Sequence, residues 1–205
     1  MKVEPRSEHP MTDAEAKSRT GKTWERWYAF LDEAIGTAAG RQATTELLMK
    51  DQGLDAWWAQ TIAVEYERAR RLHEKDGRPK GYSICVTKTI AAPAEKVFDA
   101  FGDRNALDAW LGGGATVSFA EKGSFATADG NRGTFTKVAR PKALRFTWEG
   151  ADPALASTVE VTLTPNGTKC GLVLNHERIQ TRPLADGLRL AWGGAVDRLK
   201  KWLEN

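Results

Sequence analysis

Histidine and cysteine are scarce: the 205 residues hold three of the first and two of the second. Cys85 and Cys170 give neither a zinc spacing nor a disulfide framework, and each lies in a strand-like run, so both read as small buried apolar groups. His9 falls in the polar start and His73 near a hinge, so no histidine cluster forms around His176. No apolar run approaches the length needed to cross a bilayer, and MKVEPRSEHPMTDAEAKSR lacks the apolar core of a signal peptide. The expectation is a cytoplasmic protein without a membrane span, whose residues 1–19 form a disordered polar tail. An excess of charge of one sign is missing as well. Net charge is +3, and residues 11–80 carry 12 basic and 12 acidic side chains against 16 and 13 in residues 81–205. Neither part concentrates positive charge as a phosphate backbone requires, so nucleic acid is not an expected partner. Ser118, Ser124 and Ser157 lack a G-x-S-x-G elbow, and no acidic or histidine cluster suggests a metal or other cofactor.

What is present is the composition of a soluble globular protein, 41% hydrophobic and 28% charged. The charged, glycine- and proline-bearing run HEKDGRPKG, residues 73–81, interrupts periodicity on both sides and reads as a linker. Before it the pattern is helical. Trp24, Trp27, Tyr28 and Leu31 share one face, with Thr23 as cap and Glu25 in the first turn. Leu47 and Leu48 mark a second helix. Asp55 caps a third, on which Trp58, Ile62 and Tyr66 share a side. After the linker the period becomes two. Tyr82, Ile84, Val86 and Ile90 alternate, then Pro93 opens a helix bearing Val97, Phe98 and Phe101, and Asp103 caps another. Strands follow to residue 177, separated by turns such as DGNRG, EGADPAL and TPNG, each with one apolar side. The chain closes on a helix striped by Leu184, Leu188, Trp192, Ala195, Leu199 and Leu203. Gly193 and Gly194 inside it cost about 1 kcal/mol each relative to alanine. Close approach to the sheet would explain them, and so would room left for a ligand.

Two glycine-bearing stretches invite a phosphate reading. Ala16 to Thr23 is a relaxed P-loop match, but Ala16 replaces the first glycine and no strand delivers the chain to it. Gly112-Gly113-Gly114 follows a helix and precedes a strand, where glycine supplies a left-handed C-cap.

The ordered set AAPAEKVFDAF, GDRNALDAWLGGG, RPKALRFTWEG, NGTKCGLVLNHERI and a Trp-containing last helix resembles the START-like helix-grip (SRPBCC) superfamily, in its AHSA-type branch, over about residues 82–204. That branch is named for homologues of an activator of a heat-shock chaperone ATPase. Arg104 stands where a proline often opens the second helix, and EGADPALAS is variable. TGKTWERWYAFLDEA and GLDAWWAQTIAVEYERARR resemble a small helical domain of unknown function that precedes such domains in bacterial proteins. The expected class is therefore α+β: an antiparallel sheet gripping a long C-terminal helix (82–205), a linker (73–81), and a separate all-α domain (20–72).

The resemblance implies an apolar cavity lined by Phe98, Phe101, Trp110, Phe146, Trp148, Leu172, Leu174, His176 and Trp192, which would bind a hydrophobic small molecule such as a lipid or polyketide. Some members of the superfamily are cyclases or dehydratases. AHSA-type members are binders or chaperone cofactors, so a chaperone-type protein partner is the other expectation. The same side chains could instead simply fill a core. His176 shares strand parity with Leu172 and Leu174 and points inward. It is the one candidate acid/base for an alternative reading, a cyclase or hydrolase acting on an apolar substrate. A DNA-associated regulator fits the charge balance poorly. The helical domain has three roles open to it: covering the pocket, forming a homodimer, or recruiting another molecule.

Overall fold

The computed structural model describes residues 1–6, 9, 11–149 and 156–205. The turn expected at EGADPAL falls mostly on residues 150–155 and lies outside them. The chain divides into two units, one of Ser7–Tyr82 and one of Met1–Arg6 with Ser83–Asn205.

The first unit holds helices α1 (Asp13–Thr20), α2 (Trp24–Ala34), α3 (Gly40–Lys50) and α4 (Ala56–Ala69), with a 3-10 turn at Thr37–Ala39. Helix α1 occupies residues assigned above to a disordered tail. Thr12 caps it by accepting from the Glu15 amide, and Gly21 ends it in the left-handed conformation, φ 81°. Only Ala16 of its eight residues is buried, so the stretch carries little apolar periodicity. The stretch that matched a P-loop is thus mostly helix. The Thr23 cap of α2 and the Asp55 cap of α4 form as expected, accepting from the Arg26 and Trp58 amides. Trp27, Leu31, Leu48, Ala59, Ile62 and Tyr66 form the core. Glu67 is buried beside it and takes ion pairs from Arg41 and from Lys80 (3.1 Å). The Arg41 guanidinium also donates to the Gly81 carbonyl (2.6 Å). Residues 73–81 double back on themselves: the Glu74 amide donates to the Arg78 carbonyl (2.8 Å) and His73 bridges Pro79.

The second unit is a seven-stranded antiparallel sheet, β1 (Tyr82–Ile90), β2 (Thr116–Val117), β3 (Ser124–Ala126), β4 (Arg132–Ala139), β5 (Ala143–Trp148), β6 (Ser157–Asn166) and β7 (Lys169–Ile179), in the order β1-β7-β6-β5-β4-β3-β2. Between β1 and β2 lie α5 (Ala94–Asp99) and α6 (Arg104–Trp110), the latter capped by Asp103. Helix α7 (Arg182–Glu204) follows the sheet and buries Leu188, Trp192, Ala195, Val196 and Leu199. This is the helix-grip arrangement, and its single apolar sheet face follows from the alternation. In β6 and β7, Val159 faces His176, Val161 faces Leu174 and Leu163 faces Leu172, all buried.

Three local expectations are corrected. Cys170 is buried, but Cys85 is exposed, because it alternates with buried Ile84 and takes the outer face of β1. In the glycine triad the left-handed residue is Gly114 (φ 69°), not the one next to the helix. A Cβ added to Gly193 would meet nothing within 4 Å, so close approach to the sheet does not explain it; at Gly194 it would meet only the Arg198 guanidinium (3.5 Å).

Candidate functional site

The site expected from the sequence lies between the sheet and α7. Burial drives all nine residues to the interior: Phe98 from α5, Phe101 just after it, Trp110 from α6, Phe146 and Trp148 from β5, Leu172, Leu174 and His176 from β7, and Trp192 from α7. None is more than 7% exposed. Their rings contact one another. Trp148 meets Trp192 edge-on with centroids 4.8 Å apart, and Phe101 meets Trp110 at 5.0 Å. Trp110 and Phe146 each lie 6.5 Å from Trp192. These are the separations of aromatic side chains in direct contact. Phe98 sits to one side, against Phe119 (5.3 Å), and joins the cluster through Phe119, Phe135 and Phe146. Leu172 and Leu174 face Leu163 and Val161 across the strand pair.

His176 is the one titratable group among them, and both its ring nitrogens are engaged. The Trp192 indole N–H donates to Nδ1 (2.9 Å). An indole nitrogen can only donate, so Nδ1 carries no proton and Nε2 does. Nε2 lies 2.6 Å from the Ser157 hydroxyl oxygen and donates to it. The hydroxyl in turn donates to the Trp148 carbonyl (3.2 Å). A closed chain thus runs Trp192, His176, Ser157, Trp148, with every polar atom in it satisfied. Burial lowers the imidazole pKa to about 3, because no partner compensates a charge there. A neutral imidazole whose acceptor nitrogen is occupied has no free lone pair to take a proton from a substrate.

The sequence weighs Ser157 as a nucleophile alone and sets it aside, without its part in this chain. Its signal was available: it shares strand parity with Val159 and Val161, so its hydroxyl had to face inward. Phe125 and Phe135 were missed too, and both belong to the ring cluster, Phe125 meeting Phe146 at 5.4 Å. Trp110 satisfies its own indole by donating to the Ala100 carbonyl (3.1 Å).

The outer surface of the same unit offers different chemistry. An open groove of about 390 Å³ is lined by Lys96, Asp99, Ala100, Asp103, Trp202 and Leu203. Trp202 is 42% exposed there, and Leu190 on α7 is 52% exposed. Asp99 is committed to an ion pair with Arg140. Among the described residues no group of three or more His, Cys, Asp or Glu could hold a metal ion, and no helix is long and apolar enough to cross a membrane.

A family model described as Activator of Hsp90 ATPase homolog 1-like protein matches residues 91–204, more than half of the chain. Among solved structures the chain is similar to CalU16 from Micromonospora echinospora, with 24% identity and a TM-score of 0.53 over 59% of this chain and 75% of that one. It is similar to protein MLL2253 from Mesorhizobium loti, with 24% identity and a TM-score of 0.52 over 60% and 97%. It is also similar to the Aha1 dimer from Colwellia psychrerythraea, with 18% identity and a TM-score of 0.54 over 60% and 96%. At these identities the likeness is one of fold. No curated protein matches.

Proposed function

Because the chain belongs to the family of activator of Hsp90 ATPase homolog 1-like proteins, we propose that its helix-grip domain is a non-catalytic docking domain for a protein partner of the Hsp90 chaperone class, rather than a carrier of a small apolar molecule. One observation carries this choice between the two ligand classes. The polar and aromatic groups that would greet an apolar guest are engaged with each other, through the chain from Trp192 to Trp148. A guest would have to break those contacts before making its own. The same satisfaction of His176 argues against the cyclase or hydrolase alternative. Exposed Trp202, by contrast, is the kind of aromatic anchor that protein interfaces favour.

The test adds the full chain to an Hsp90-type chaperone and follows ATP hydrolysis, beside native mass spectrometry of the freshly purified protein. Faster turnover, and a mass equal to that of the polypeptide alone, are expected. Trp202→Ala should weaken the stimulation tenfold or more. Unchanged hydrolysis together with a retained apolar adduct would overturn the reading in favour of a carrier.

A further inference from the structure

Residues Met1–Arg6 belong to the helix-grip unit, although the whole helical unit intervenes in sequence. Over Met1–Glu4 burial alternates, with Met1 buried, Val3 half-buried and Lys2 and Glu4 exposed, and Pro5 and Arg6 are exposed. That is the pattern of an extended segment lying on a surface. Three contacts fix it. The Met1 amine donates to Asp129 Oδ2 (2.8 Å). The Arg6 amide donates to the Pro183 carbonyl (2.8 Å) in the first turn of α7. At Gly187 the backbone of Glu4 and Pro5 passes so close to α7 that an added Cβ would collide with the Glu4 carbonyl. Gly112 does the same service at the other end, where a Cβ would stand 2.6 Å from the Met1 nitrogen. Glycine inside a helix costs about 1 kcal/mol relative to alanine, and Gly187 is where the structure uses that cost to admit a second backbone.

The geometry points to a peptide-accepting groove, floored by Gly187 and Gly112 and edged by Pro183 and Asp129, that residues 1–6 occupy in cis and that an extended segment of a protein partner occupies in their place. Residues 1–6 show what fits: a buried apolar side chain at one end, exposed side chains towards the other, and a backbone N–H directed at the Pro183 carbonyl. The main-chain bond to Pro183 is independent of the side chain at that position, and specificity comes from the pocket that buries the apolar side chain and from Asp129. The segment is covalently attached, through the helical unit, so it competes intramolecularly and sets the threshold a partner must exceed. The inference deepens the proposed function by giving the partner a point of entry, and it rests on that reading for the partner's identity alone.

The test uses the full-length chain with residues 1–6 replaced by a glycine–serine run of equal length after the initial methionine. The probe is the peptide Met-Lys-Val-Glu-Pro-Arg carrying a fluorophore at its carboxyl end, followed by anisotropy. The peptide is expected to bind the replaced chain one to one, at least tenfold more tightly than it binds wild type. Adding Gly187→Leu to the replaced chain should abolish binding. Failure to bind the folded replaced chain, or equal binding to wild type, overturns the inference. If the replaced chain does not fold, hydrogen exchange on wild type decides: the Arg6 amide must exchange at least tenfold more slowly than in Gly187→Leu, and exchange at the rate of an unstructured peptide overturns the proposal. Peptide binding needs no chaperone. An inert chaperone assay with a binding groove therefore removes the functional reading alone, and the converse result removes the groove alone.

Discussion

The two units differ in the polar groups that stand beside their apolar cores. The helical unit buries a charge. Glu67 is 3% exposed and is neutralised by Arg41 and Lys80, drawn from α3 and from residues beyond α4. Near it Asp32 pairs with Arg70 and accepts from Tyr66, and these partners lower its pKa to about 2. The helix-grip unit also buries an ion pair, Arg182 with Asp186 at the start of α7 (3.1 Å), but the polar chain within its ring cluster is neutral and runs through His176. Small helices offer few backbone groups free to receive a buried side chain, and ion pairs substitute. The sheet supplies a carbonyl, that of Trp148, at the end of its chain. The difference fixes how each unit answers to substitution and to pH.

The comparison breaks most sharply at Glu67. Removing Glu67 takes the shared carboxylate from Arg41 and Lys80; both cations are partly exposed and Arg41 keeps the Gly81 carbonyl, so the cost is that of lost charge-assisted bonds, about 2–3 kcal/mol. Glu67→Ala should therefore lower the opening free energy of amides in α4 by about that amount, read by native-state hydrogen exchange, while amides in β6 serve as the internal control. Ser157→Ala should act on β6 instead. It leaves the Nε2–H of His176 without its acceptor, at a cost of about 1–3 kcal/mol.

A pH series sharpens the contrast further. The folded pKa of His176 lies below its unfolded value of 6.5, at about 3. Unfolded chains therefore bind a proton that folded ones refuse. This contribution to stability is complete above pH 6.5 and is lost as pH falls from 6.5 towards 3, at no more than about 1.4 kcal/mol per pH unit. Subtracting the profile of His176→Gln from that of wild type should isolate that slope, and parallel profiles would sink the assignment. The smallest effect should be a gain. Gly193→Ala adds a methyl group where nothing stands within 4 Å, and should stabilise α7 by about 1 kcal/mol, seen as a raised denaturation midpoint.

Much of this was legible because it is local. Thr23, Asp55 and Asp103 cap helices by contacts three residues ahead. Period-two alternation placed His176, Leu172 and Leu174 on the inner face, as the structure has them. What escaped depends on residues far apart in sequence. Nothing near His176 announces that Trp192 and Ser157 will occupy both its nitrogens. Gly193-Gly194 drew attention as a pair, yet the glycine that admits a close backbone is the single Gly187, whose neighbour comes from residues 4 and 5. Helix α1 escaped for a different reason. Its polar surface offers no stripe, and its sequence marks are confined to its ends, the Thr12 cap with Glu15 three residues on and the terminating Gly21.

The bond from Trp192 to the imidazole has a spectroscopic consequence. An indole proton held by a neutral ring nitrogen, inside a ring cluster and out of contact with solvent, should resonate apart from those of exposed tryptophans such as Trp202 and survive long after transfer to deuterated water. One signal in a proton spectrum thus reports whether the grip between sheet and helix is intact, without any label attached.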